Sequence, residues 1–125
     1  MQAITSTESP AVIGSYSQAI RAGDTVYLSG QIPLDPQTQV LCSEEIESQI
    51  KQVLHNMEAL CVAAGGTLAN VVKVTVYVMD LSHSSLVNDA MMAAFAEPYP
   101  ARAMVQVAGL PRGAQVEMDA VMVLR

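Results

Sequence analysis

Between residues 43 and 64 the apolar positions Ile46, Ile50, Val53, Leu54, Met57, Leu60, Cys61 and Ala64 recur at intervals of three and four. With 3.6 residues to the turn, that spacing lays them along one face of an α-helix. Ser43 suits its N-cap, Glu44 and Glu45 complement the positive end of its dipole, and Gly65-Gly66 supply the left-handed backbone on which helices commonly end. A few residues later the period drops to two. Val72, Val74, Val76 and Val78 fall on one side of a strand predicted over 71–79, with Val71, Lys73, Thr75, Tyr77 and Met79 on the other. Helical spacing returns over 82–96, with Leu86, Ala90, Met91, Ala94 and Phe95 inward and Pro98 just beyond the end.

The flanks read as strands. Residues 15–20 and 25–29 pair as a hairpin around Ala22-Gly23-Asp24, whereas Pro33 and Pro36 interrupt any strand and mark a loop through Thr38. Strands over 102–107 and 115–124 close the chain, and one further strand precedes the hairpin. The expectation is an α+β fold, a six-stranded sheet with two helices packed on one face. At 125 residues it forms one domain, 1–125, without repeat or linker.

The face turned away from the helices changes the picture. It is expected to carry Val71, Thr75, Tyr77 and Met79 beside Val121 and Val123, too apolar to face water, while the helices are already needed over the Val72 and Val116 face. With no element to spare, another copy of the chain is the expected cover. Hydrophobic residues make up 51% of the chain but aromatics only 4%, so the core is built from aliphatics and eight methionines, which pack adaptably.

Charge narrows the partners. Six basic residues are scattered among twelve acidic ones, a net charge of −6, and no basic cluster is present to neutralise a row of phosphates, which argues against nucleic acid. No apolar run reaches the length of a membrane span and the start lacks the order of a signal peptide, so a soluble cytoplasmic protein is expected. Cys42 and Cys61 read as separate thiols, and His55 and His83 have no ligand-like spacing, so neither a disulfide nor a metal is expected.

Two charged residues stand out in the last strands. Arg102 follows Pro100-Ala101 and alternates with Met104 and Gln106. Glu117 alternates with Asp119, Val121 and Val123. Both are expected on the far face. An interface salt bridge is the commoner use of such a pair. The functional alternative is a small anion site, the guanidinium gripping a carboxylate and Glu117 handling a water or proton. Gly30, at a strand end after Ser29, lets a ligand approach the backbone closely. Asn88 and Tyr16 carry no signal of their own, and no nucleophile-elbow pattern surrounds Ser29.

The stretches Ile13-Gly14-Ser15-Tyr16-Ser17-Gln18, Leu28-Ser29-Gly30-Gln31-Ile32-Pro33, Ala63-Ala64-Gly65, Val72 through Val78, Asp80-Leu81, Val87-Asn88, Pro100-Ala101-Arg102 and Val116-Glu117-Met118-Asp119-Ala120 together resemble the RidA/YjgF family over essentially the whole chain. The resemblance implies a chorismate-mutase-like fold with a mixed sheet and a homotrimer with clefts between subunits. It also implies a cofactor-independent deaminase that hydrolyses reactive enamines and imines, such as 2-aminoacrylate, to 2-keto acids and ammonia. Residue by residue it makes Arg102 the essential arginine and Glu117 the water-orienting glutamate. Tyr16, Ser29, Gly30 and Asn88, with the backbone of Ala103 and Met104, complete the implied pocket. Met104 stands where many members carry cysteine, and the 96–99 segment is shorter than usual, which bears on pocket size. Two other functions compete: a non-catalytic receptor for small keto acids, against which the second negative charge at Glu117 argues, and a ribonuclease or translation inhibitor, against which the net charge and the lack of a histidine pair argue.

Overall fold

A computed structural model describes residues 1–125. The β-branched and aromatic runs form strands β1 (Gln2–Ile4), β2 (Ala19–Ala22), β3 (Thr25–Gln31), β4 (Val71–Val78), β5 (Ala101–Gln106) and β6 (Val116–Val123). The two three-and-four-spaced segments form helices α1 (Ile46–Ala63) and α2 (Ser84–Ala94). The strands join one sheet in the order β1-β2-β3-β6-β4-β5. Only β4 and β5 run parallel, connected through α2; every other pair is antiparallel, so the sheet is mixed. No helix is long and apolar enough to cross a membrane.

One face of the sheet and the inner faces of both helices make the core. Ile50, Val53, Met57, Leu60 and Cys61 of α1 meet Val26 of β3, Val74, Val76 and Val78 of β4, and Val116, Met118 and Met122 of β6. Burial of each such aliphatic side chain contributes about 1.5–3 kcal/mol. In α2 the fully buried residue is Val87, with Met91 and Phe95 beside it; Leu86, Ala90 and Ala94 pack at the margin. Cys61 is enclosed by this core, and burial pushes its thiol up to about 12, so it behaves as an inert apolar group.

Several details differ from the expectations above: the first hairpin strand lies at Ala19–Ala22 rather than over 15–20, and Val87, not among the residues expected inward, is the most buried residue of α2. The Ser43 side chain does not cap α1: its Oγ accepts from the Glu45 amide at 3.0 Å, fixing the turn before the helix, whose N-cap is Glu45. At the other end Gly65 takes φ 98°, the left-handed stop foreseen for it. The start of β4 is inverted. A register shift against β6 between Val71 and Lys73 inserts an extra residue, so Val71 faces the core and Val72 faces solvent, opposite to strict alternation.

A further difference concerns β5. Its register against β4 sets Arg102 beside Val74, Met104 beside Val76 and Gln106 beside Val78, all three core-facing valines. Arg102, Met104 and Gln106 therefore lie on the helix side, and Ala103 and Val105 lie on the far face. Alternation within the strand is as expected, but its assignment to the two faces is reversed. As an edge strand reaching past the helices, β5 leaves both of its faces largely open, so its apolar set did not mark the core.

Buried polar side chains tie the irregular segments to this frame. Asn56 of α1 donates through Nδ2 to the carbonyls of Ile32 (3.3 Å) and Leu34 (2.9 Å), while its own carbonyl accepts from the Ser9 hydroxyl at 2.6 Å. Gln18 accepts from the Ser6 amide through Oε1 at 2.7 Å and donates through Nε2 to the carbonyls of Ser6 and Pro10, at 3.1 and 2.8 Å. These bonds hold the N-terminal loop to α1 and to Gln18 just before β2, and the loop after β3 to α1.

Candidate active site

β3 and β6 pair Leu28 with Ala120 and then Gln31 with Met118, so β3 carries one extra residue between the two rungs. This bulge turns the Ser29-Gly30 backbone toward Glu117. The Ser29 hydroxyl donates to the Ser17 carbonyl at 2.6 Å and the Ser29 amide to the Gln18 carbonyl at 3.0 Å, fastening the loop that carries Tyr16. Gly30 lies directly under the carboxylate of Glu117. A Cβ there would overlap the carboxylate oxygen and stand 3.0 Å from Cδ, so only glycine admits Glu117 in this position.

Around this carboxylate opens a cavity of about 530 Å³, lined by Tyr16, Gln18, Ser29, Gly30, Gln31 and Glu117 together with Ile13, Ile32 and Arg112. Arg112 sits in a Pro-Arg-Gly turn with φ 61° and donates from Nη2 to the Gln39 carbonyl at 2.7 Å. The Gln39 side chain in turn accepts from the Ala11 amide at 3.1 Å. One wall of the cavity is thus stitched from three loops. Burial pushes the Glu117 carboxyl above the usual carboxylate range, and the neighbouring Asp119 adds to the shift. Asp119 accepts a 2.8 Å hydrogen bond from the Tyr77 hydroxyl, and Tyr77 stands opposite Glu117 in the β4–β6 register.

Arg102 is elsewhere. It lines a second cavity of about 500 Å³ with Asn88, Met91, Met92, Tyr99 and Pro100, where its Nη1 donates to Asn88 Oδ1 at 3.3 Å and lies 3.8 Å from the Met91 sulfur. No carboxylate pairs with it; the two ion pairs of the chain both involve Asp24, with Arg21 and Arg125. Ala103 and Met104 continue the free edge strand beyond it. The eight residues singled out from the sequence fall into two groups. Tyr16, Ser29, Gly30 and Glu117 share one cavity, open on the far face, and Asn88 and Arg102 share another on the helix side, at the edge that Ala103 and Met104 extend. Arg102 is not on the far face, and within one chain it does not meet Glu117.

Sequence reasoning passed over Gln18, Gln31, Arg112 and Ile13. Arg112 had a signal, a cation in a Pro-Arg-Gly turn directly before the strand of Glu117. Ile13 is 71% exposed and lines the cavity mouth, but a single exposed apolar residue carries no signal in the sequence. Neither histidine lines either cavity.

A strand–helix frame with these two groups at opposite faces of one sheet defines the class. The sequence signature described as Endoribonuclease L-PSP matches residues 6–124, and the chain belongs to this family, the RidA/YjgF family. It is 41% identical over 124 residues to the RutC family protein y4sK of Sinorhizobium fredii, covering 99% of this chain and 98% of that protein. It is 42% identical over 118 residues to the human 2-iminobutanoate/2-iminopropanoate deaminase, covering 94% and 86% of the two chains. Its fold superimposes on crystalline RidA from Psychrobacter sp. PAMC 21119 with a TM-score of 0.95 at 46% identity, over 98% and 99% of the chains.

Proposed function

We propose that this protein is a cofactor-independent imine deaminase, hydrolysing 2-imino acids and their enamine tautomers to 2-keto acids and ammonia in sites assembled between copies of the chain. The observation that carries this reading is the separation of the two charged groups. A guanidinium without a carboxylate partner opens at one edge of the sheet, and a half-buried carboxylate under a bare glycine backbone opens on the other face. Each is half of a hydrolytic site, and juxtaposing two chains in a closed ring completes both.

The chemistry follows from the halves. Arg102, steadied by Asn88, grips the substrate carboxylate through paired hydrogen bonds. Glu117 takes a proton from a water as that water adds to the C=N carbon, giving a carbinolamine. That proton is passed to the nitrogen; the carbinolamine hydroxyl then yields its own proton through Glu117 to the same nitrogen as the C–N bond breaks, and ammonia leaves as the carbonyl forms. Because such imines already hydrolyse in water, holding the substrate and one water in line suffices. The raised proton affinity of Glu117 suits a group that must accept a proton and return it. The homotrimeric assembly, and small 2-imino and 2-keto acids as ligands, are part of the same proposal. So are the backbone contacts at Ala103 and Met104.

The test couples a serine or threonine dehydratase to detection of ammonia, with this protein added. Acceleration of imine decay is expected, with R102A losing nearly all of it and E117Q most of it while still binding keto acids. Refolding the two inactive variants together places an intact Arg102 opposite an intact Glu117 at about a quarter of the interfaces of a mixed ring, so activity returns to about that fraction of wild type. Keto-acid binding with imine decay at its background rate would replace the deaminase by a carboxylate receptor. Absence of complementation would place the site within one chain.

A further inference from the structure

Glu117 is not the only carboxylate on its face of β6. Asp119, two residues on, projects from the same side of the strand, and its charge is fixed in place rather than free to swing into water: the Tyr77 hydroxyl, reaching diagonally from β4, donates to Asp119 Oδ2 at 2.8 Å. From these positions we infer that Asp119, held by Tyr77 on the same face of β6, is a positioning residue that strengthens Glu117 as a base. Glu117 as the base rests on the reading proposed above.

Within the chain, the surroundings of Glu117 leave this carboxylate as its charged neighbour; in the ring proposed above the neighbouring copy's Arg102 faces it too, but that cation is the same in wild type and in variants of Asp119, so it does not enter the comparison between them. From β3 the cavity around it takes Ser29, Gly30 and Gln31, none of which titrates, while Tyr27 stands opposite Val121, further along the sheet. The loop before β2 contributes Tyr16, and the Pro111–Gly113 turn contributes Arg112, whose guanidinium is committed to the Gln39 carbonyl. Lys73 on β4 is opposite Val121, two rungs further along, and makes no ion pair. Asp119 thus stands closest in the strand with a like charge, and two carboxylates on one partly desolvated face cannot both ionise with their ordinary ease. Burial is the larger cause of the raised Glu117 proton affinity and Asp119 the second. The tyrosine is suited to its task. The hydrogen bond it gives Asp119 raises the Tyr77 phenol, which therefore remains a donor across the working pH range.

Raising the proton affinity of a carboxylate makes its ionised form a stronger base, at the cost of losing that form at a higher pH. Asp119→Asn removes the charge but keeps an oxygen to accept from Tyr77. The carboxyl carbon of Glu117, observed by NMR in protein labelled at glutamate and assigned by its absence in E117Q, is expected to titrate at lower pH in D119N than in wild type. It should stay above the ordinary glutamate value because burial remains. The acid limb of kcat/KM should move to lower pH with it, and the alkaline plateau should fall by less than about tenfold as the base weakens. D119E, which retains the charge, should restore both. Tyr77→Phe frees the Asp119 carboxylate to swing outward and should shift the Glu117 midpoint in the same direction by less, which keeps the test available if D119N folds poorly. An unchanged Glu117 midpoint in folded D119N overturns the inference. A midpoint that moves in D119N, when the wild-type protein fails to accelerate imine decay, upholds the tuning and overturns the deaminase reading instead.

Discussion

At Gly30 the absence of a single atom decides where the charge of Glu117 can sit. Adding a Cβ would meet the far end of a flexible side chain rather than backbone, so the carboxylate can move aside at little energetic cost. Gly30→Ala is accordingly expected to lower stability by less than about 2 kcal/mol while reducing imine hydrolysis roughly 10- to 100-fold, because a carboxylate displaced by about an ångström no longer holds its water in line. Thermal unfolding and the coupled dehydratase assay read the two effects separately. A large stability loss with activity preserved would mean that the glycine serves the bulge and not Glu117. At this scale the sequence was partly legible. Glu117 was placed on its face by the alternation of β6, whereas Ser29 and Gly30 looked like any strand end until the bulge aimed them.

The secondary-structure elements follow the periodicities closely, because each helix and central strand has one face that must be buried. The exceptions have two causes. Val71 and Val72 exchange faces where β4 bulges, and β5 presents Arg102 on the side opposite to that expected, because alternation states which residues go together and not which side is covered. Between the elements, loops depend on buried polar anchors whose partners are distant in sequence. Asn56→Ala would leave the Ile32 and Leu34 carbonyls without the donor that both now share. A loss of about 2 kcal/mol and a fall in Tm of roughly 5–10 °C are expected, measured by calorimetry. An unchanged Tm would mean that water replaces the amide and that α1 does not anchor this loop.

On the scale of the whole molecule, no helix or loop covers most of the far face of the single chain. Tyr27 is 54% exposed and Val105 43%, with Ile13 and Tyr16 open at the cavity mouth, while Thr75, Tyr77, Val121 and Val123 are only partly covered. Apolar surface of this extent is stabilised by association. Sedimentation equilibrium at micromolar concentration is expected to return three times the chain mass, and charged substitution of Val105 should shift the distribution toward smaller species with loss of activity. A stable, fully active monomer would remove both the trimer and the shared site.

By itself the sequence determined the element order and the helix-covered core and singled out the residues proposed for the site, since hydrophobic period, turn chemistry and charge are local properties of the chain. It also contained the resemblance that led to the family. The tertiary structure decided everything that depends on register. It set Arg102 beside Val74 and Asn88, turned Gly30 under Glu117, brought Tyr77 to Asp119, and drew Arg112 and Gln18 into the cavity wall. Strand pairing joins residues tens of positions apart, and a single inserted residue exchanges the faces of the residues beyond it, so these arrangements exist only once the sheet has closed.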